Sequence, residues 1–179
     1  MKLFDEIPYM ESDRIILRRI EDKDSDELRD MTLNTNVYRF LPTFLFEKQC
    51  DDVHKTIAGL YGELFASKDS LILGIFLRST GRFCGIAEFY GYKESLQKTC
   101  IGYRLDEPWW GKGIASETVR LMVDYLYSAT DTEIITASTM IENKASARVL
   151  EKNGFILTAA AVPEDWGYSE PTIADKWFR

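Results

Sequence analysis

The sequence predicts one α/β domain built on a mixed, mostly antiparallel sheet with helices on both faces. Three observations carry this. First, the apolar–polar alternation from Cys100 to Leu105 gives way at Gly111 and Gly113 to the helically spaced Ala115, Val119, Met122 and Leu126. A strand therefore runs through a glycine turn into a helix. Second, the runs Leu71 to Arg78 and Arg82 to Tyr92 flank Ser79-Thr80-Gly81 as an antiparallel hairpin does. Third, helix, strand, helix and strand patterns alternate from 114 onward, which adds covering helices to the sheet.

The elements follow in order. Ile15 to Arg19 reads as a first strand, and Glu21 to Asn34 as a helix with an acidic start and Leu28, Met31 and Leu33 on its buried side. Pro42 and the aromatics Tyr38, Phe40, Phe44 and Phe46 mark a loop, with core packing the larger part of the aromatics' work and an acceptor pocket the smaller. A second helix is expected over about 47–66. After the hairpin, Glu94 to Lys98 turns the chain into the Cys100 strand. Helix 114–128, strand 133–140, helix 143–153 and strand 154–161 follow; Pro163 to Pro171 is irregular, and Thr172 to Phe178 closes as a strand. No linker, repeat or low-complexity segment divides the 179 residues, so a single domain over 1–179 is expected.

Composition narrows the function. An apolar fraction of 45% and a charged fraction of 28% are those of a soluble globular domain. Leu71 to Leu77, the longest apolar run, is too short to cross a bilayer, and Asp5 and Glu6 stand where a secretion signal needs basic and then apolar residues. A cytoplasmic protein without membrane attachment is expected. The formal charge of −7 repels phosphate backbones, which argues against general nucleic-acid binding and tolerates an amine-bearing partner. Cys50, Cys84 and Cys100 form no Cys-x-x-Cys pair and suit a reducing compartment. The sole histidine, His54, follows Cys50 by one helical turn, but its neighbours Asp51, Asp52 and Lys55 read as a solvated face, and no metal site is expected.

The chemistry concentrates in Trp110-Gly111-Lys112-Gly113-Ile114-Ala115. The helix that starts here leaves its first amides unpaired, at the positive end of its dipole, and glycines let a ligand come close to the backbone. Such a turn suits a phosphate or pyrophosphate. It is not a Walker loop, because Gly113 replaces the Ser/Thr after Gly-Lys, and not a dinucleotide fingerprint, because Ser116 replaces the third glycine. On this loop alone an anion cradle and a plain strand-to-helix turn are equally compatible.

A second segment shifts the balance toward the cradle. Asn143-Lys144-Ala145-Ser146-Ala147-Arg148-Val149-Leu150-Glu151-Lys152-Asn153-Gly154-Phe155 reads as a short helix capped by Asn143 and closed by Asn153-Gly154. The glycine turn and this helix together resemble the GNAT superfamily of acyl-CoA-dependent N-acyltransferases, and within it the RimJ/RimL-like branch. The resemblance runs from Ile16-Leu17-Arg18 to Trp177-Phe178.

That resemblance implies an enzyme moving an acetyl group from acetyl-CoA to a primary amine by direct attack. The acceptor is a peptide or protein N-terminus or a small-molecule amine, and the enzyme a monomer or homodimer. A non-catalytic acyl-CoA-binding or interaction module of the same fold is the alternative. It is motivated by Leu150 and Cys100, which stand where the superfamily often carries a tyrosine and a glutamate. The resemblance places the pyrophosphate on the amides of Gly111, Lys112, Gly113, Ile114, Ala115 and Ser116, beside Trp110, a residue the RimL-like branch shares. Tyr103, Arg104 and Leu105 are expected to run along the pantetheine arm. Ser146 is the candidate for protonating or orienting the thiolate, and Asn143 the cap that also contacts pantetheine. Glu88 is the candidate base, on a strand face expected to hold Cys84, Ile86 and Tyr90 as well. An α-amine or similarly low-pKa amine is the favoured acceptor, because an α-amino pKa near 8 against about 10.4 for lysine demands less of the base.

Overall fold

The computed structural model describes residues 1–179. Eight strands form one sheet: β1 (Met10–Glu11), β2 (Ile15–Arg18), β3 (Ser70–Leu77), β4 (Phe83–Lys93), β5 (Lys98–Leu105), β6 (Ile134–Met140), β7 (Ile156–Glu164) and β8 (Thr172–Phe178). Their order is β1-β2-β3-β4-β5-β6-β8-β7. Every neighbouring pair is antiparallel except β5 and β6, which are parallel.

The parallel pair is short. Lys98, Thr99 and Cys100 oppose Ile134, Ile135 and Thr136, and beyond Cys100 the two strands part. β6 goes on pairing with β8 as far as Met140, while β5 goes on pairing with β4 as far as Leu105. A slot opens in the middle of the sheet, bounded by two strand edges that no longer bond each other.

The helices are α1 (Ser25–Leu33), α2 (Thr35–Tyr38), α3 (Val53–Gly59), α4 (Ile114–Ala129) and α5 (Lys144–Lys152). On one face of the sheet, α4 supplies Val119, Met122 and Leu126 and α5 supplies Leu150 to a core with Leu73, Ala87, Phe89 and Ile101. On the other, Leu28 and Met31 of α1 and Ile57 of α3 pack with Ile72, Phe76, Phe83 and Ile86. The period-2 alternation of the central strands feeds both cores.

Three expectations shift. Leu33 ends α1 and is 72% exposed instead of joining the core. The second helix does not start near 47: Phe46–Lys48 makes one tight turn, and α3 begins at Val53, where Asp52 accepts hydrogen bonds from the His54 and Lys55 amides. It runs on as a wider π-turn over Leu60–Phe65. Cys84 lies in the core opposite to that of Ile86, because a bulge at Cys84-Gly85 breaks the alternation: Ile75 pairs with Gly85 but Phe76 with Phe83. A side chain at Gly85 would collide with the Arg104 carbonyl, so the bulge requires glycine there.

Candidate functional site

A cleft of about 1290 Å³ occupies the slot between β5 and β6 and extends over both faces of the sheet. Its donor end is the turn after β5. Gly111 and Gly113 take φ of 69° and 78°, conformations other residues adopt at a cost, and Gly113 is the residue before α4. No side chain caps this helix, and its first intrahelical bond runs from the Glu117 amide to the Gly113 carbonyl. The amides of Ile114, Ala115 and Ser116 thus precede the hydrogen-bonded part of the helix, and all three residues line the cleft.

The loop is fixed from behind. Arg14 donates through Nη1 to the Lys112 carbonyl at 2.9 Å and through Nε to Glu117 at 2.6 Å. Ser12 also donates to Glu117. Burial disfavours the Glu117 carboxylate, yet Ser12 and Arg14 outweigh it and hold its pKa below the ordinary 4.5. Nothing local marks Arg14 in the sequence, because its partners lie about a hundred residues away. The Trp110 indole N–H donates to the Leu105 carbonyl at 2.8 Å, closing the strand end onto the turn. Lys112 Nζ donates to the Pro108 carbonyl and lies 5.1 Å from the centre of the Trp109 ring. Its ammonium is therefore engaged within its own loop, and Lys112 does not line the cleft.

β5 supplies one wall. The Asp106 amide donates to Cys84 in β4, which makes Gly85–Leu105 a non-hydrogen-bonded pair. By alternation, the amides of Tyr103 and Leu105 face the slot, while those of Gly102 and Arg104 face β4. Arg104 lines the cleft too, but differently from its two neighbours. Its backbone is committed to β4, and its guanidinium turns to the other face of the sheet.

There Arg104 Nε and Nη2 meet both oxygens of Glu47, the second at 2.7 Å, and Nη1 meets Glu88 Oε2 at 2.7 Å. The side chains of Glu47 and Arg104 are 0% and 3% exposed, that of Glu88 13%. Burial opposes the guanidinium charge, but Glu47 and Glu88 outweigh it and raise the pKa above its ordinary value. Glu88 Oε1 accepts from Ser70 at 2.8 Å. Tyr38 donates to Glu47 at 3.2 Å, and burial followed by the neighbouring Glu47 raises its phenol pKa. Glu88 lines the cleft beside Tyr90. Phe40, Phe44 and Phe46 line it too, Phe46 also packing on the α1–α3 core.

α5 closes the opposite side. Asn143 Oδ1 accepts from the Ser146 amide at 3.2 Å, capping the helix as its sequence implied. At the far end Gly154, at φ 78°, lets the Phe155 amide reach the Leu150 carbonyl. Asn153 Nδ2 donates to the Ser116 carbonyl and Oγ, both at 3.2 Å, and so ties α5 to the first turn of α4. Across the cleft, the Tyr103 hydroxyl donates to Ser146 Oγ at 3.2 Å. Burial raises the Tyr103 phenol pKa, and it stays protonated near neutrality. His54 and Cys50 lie elsewhere and separately: His54 Nδ1 is 3.2 Å from Asp22, and Cys50 donates to the Asp52 carbonyl.

The site thus joins a glycine turn with free helix amides, an open strand edge, a capped serine and a carboxylate floor. Comparison with known proteins gives the family of the chain. The model of the acetyltransferase (GNAT) domain matches residues 14–156. The uncharacterized N-acetyltransferase YoaA of Bacillus subtilis (strain 168) is 33% identical over 150 residues, 83% of this chain and 82% of the relative. The [ribosomal protein uS5]-alanine N-acetyltransferase of Escherichia coli (strain K12) is 24% identical over 80% of this chain and 76% of its own. Among solved structures, RimL, a ribosomal L7/L12 alpha-N-protein acetyltransferase in complex with coenzyme A, superposes with a TM-score of 0.81 at 18% identity, covering 96% of this chain and 97% of that one. A family model spanning most of the chain and a relative one third identical along its length lead to one conclusion: the chain belongs to the GNAT family and is an acetyl-CoA-dependent N-acetyltransferase.

Proposed function

We propose that the acceptor is a primary amine on an α-carbon, such as a peptide or protein N-terminus or a small amine of similar pKa. The observation that carries this is the arrangement of the cleft. The α4 amides lie at one end of the slot, Tyr103 and Ser146 face each other across it, and Glu88 lines its floor. The uS5-alanine and L7/L12 enzymes are named for acting on ribosomal proteins, the latter on an α-amine, which agrees with this reading.

The donor's pyrophosphate would rest on the amides of Gly111 to Ser116, and its pantetheine arm would pair with the slot-facing backbone of Tyr103 and Leu105 as an added strand does. The Leu105 N–H would polarise the thioester carbonyl and stabilise the oxyanion. The amine attacks the carbonyl carbon, its proton passes through water to the Glu88 side, and the C–S bond breaks. Ser146 then gives its hydroxyl proton to the departing thiolate as Tyr103 passes its phenol proton to Ser146 Oγ, and solvent returns a proton to Tyr103. Ser146 Oγ already accepts from Tyr103, so its own O–H is the one left to donate. Asn143 holds the Ser146 backbone through its cap and lines the same cleft.

The test is a mass-spectrometric panel of peptides carrying both a free N-terminus and an internal lysine. α-Amine acetylation at several times the rate of lysine acetylation is expected. Faster modification of lysine side chains would reject the acceptor assignment, and Glu88→Gln with an unchanged pH profile of kcat/KM would reject Glu88 as proton acceptor.

A further inference from the structure

The buried cluster of Glu47, Arg104 and Glu88 contains two carboxylates and one guanidinium, so it carries one net negative charge. The partners share that guanidinium unequally. Glu47 has no exposed side-chain surface, takes two of the three nitrogens and is itself held by Tyr38. Glu88 receives a single nitrogen, with Ser70 on its other oxygen, and is the only one of the two carboxylates that lines the cleft. Of the other cations that line the cleft, Lys176 is already paired with Glu164, and none of Arg39, Lys98, Arg148 and Lys152 forms an ion pair with Glu88. Opposite Glu88 on β5 stands Gly102, so no side chain from that position covers the carboxylate.

We infer that Glu47 and Arg104 are positioning residues for the acceptor: Glu47 neutralises Arg104, so that Glu88 presents an uncompensated negative charge to a cationic amine. This rests on the reading that the acceptor enters at the Glu88 end of the cleft. Without Glu47, the guanidinium would turn its full charge on Glu88, and the cluster as a whole would become neutral. A buried charge with one partner too few draws a mobile counter-ion, and the acceptor's ammonium is the cation that must visit this place before it loses its proton. The arrangement also has a mechanical side. Glu47 lies in the turn Phe46–Lys48, next to cleft-lining Leu45 and Phe46, so the same ion pairs fix the acceptor-side loop to β4 and β5.

The experiment compares Glu47→Gln, Glu88→Gln and the double variant with the wild type, each checked for folding by its thermal transition. KM for a peptide amine, kcat, and the Kd of acetyl-CoA by calorimetry are measured. Glu47→Gln is expected to raise the acceptor KM about tenfold, roughly the effect of one charge at a partly screened site. kcat and the acetyl-CoA Kd should stay within a factor of about three. In the Glu88→Gln background the same change should have no further effect on KM, because Glu47 acts through Glu88. Arg104→Lys keeps the charge but loses the fork, and should raise the acceptor KM in the same selective way. An unchanged KM in folded Glu47→Gln, an equal KM change whether residue 88 is Glu or Gln, or parallel losses of acceptor and acetyl-CoA binding would each overturn the inference. If Glu88→Gln itself leaves KM unchanged, the acceptor does not dock at Glu88 and the underlying reading fails with it.

Discussion

Tyr103 and Ser146 come from elements more than forty positions apart, and each alone is unremarkable. Their hydrogen bond gives Ser146 an acceptor role toward the phenol and so directs its own proton elsewhere. If that proton goes to the thiolate, Tyr103→Phe should lower kcat about tenfold without changing the Kd of acetyl-CoA, since the ring still packs and only one hydrogen bond is lost. In a Ser146→Ala background the same change should cost nothing further; an additive loss would separate the two residues. Glu117 invites a different measurement. Its lowered pKa means that its stabilising effect is complete above 4.5 and is lost as pH falls through the lower folded value. The stability gap between wild type and Glu117→Gln in urea should be present at pH 7 and shrink progressively as pH falls below 4.5. Arg14 is half exposed, so a gap of about 1 kcal/mol or less is expected. A gap that persists in acid would mean that the pair contributes nothing. The Asn143 cap was legible in the sequence because a cap and its helix are local, whereas Ser146 was singled out by the resemblance alone. Tyr103's partner, the Arg14 clamp and the Glu47–Arg104 pair were not, because each joins residues brought together only by the sheet.

At the scale of elements, the slot arises because β5 and β6 pair over three residues and then diverge. The sequence announced both strands and the glycine turn, but register is not a local property, so nothing in either strand told where they part. The Cys84-Gly85 bulge was hidden for the same reason. It shifts alternation by one residue, and a strand read as strictly period-2 therefore put Cys84 on the face of Glu88 when it lies opposite. Where alternation does hold, it makes a sharp prediction. The amides of Tyr103 and Leu105 point into the slot and that of Arg104 to β4, so hydrogen exchange at single-amide resolution should show residues 103 and 105 exchanging much faster than 104 in the free protein. Acetyl-CoA should slow 103 and 105 by at least tenfold and leave 104 as it was. Equal protection of all three before ligand is added would mean that this edge is not open.

Across the whole molecule, the sheet separates a core packed under α4 and α5 from one packed under α1 and α3, and the cleft in the slot reaches both sides. Each half folds onto its own core, so a ligand that bridges the two sides of the slot should stabilise the molecule as a unit. At a hundredfold excess over its Kd, acetyl-CoA adds about 2.7 kcal/mol. For a chain of this size that corresponds to a rise in Tm of roughly 5–10 °C. Gly113→Val should abolish the rise. A β-branched side chain is poorly accommodated at φ 78°, its Cβ would lie 3.1 Å from Arg14 Nη2, and the branches would enter the space where a phosphate approaches the amides. The same strain lowers the ligand-free Tm, so the discriminating quantity is the difference between the loaded and free transitions of each protein. If Gly113→Val keeps that difference, the turn before α4 is not where the donor is held. If the wild type shows none, the cleft does not bind acetyl-CoA, whatever family the chain belongs to.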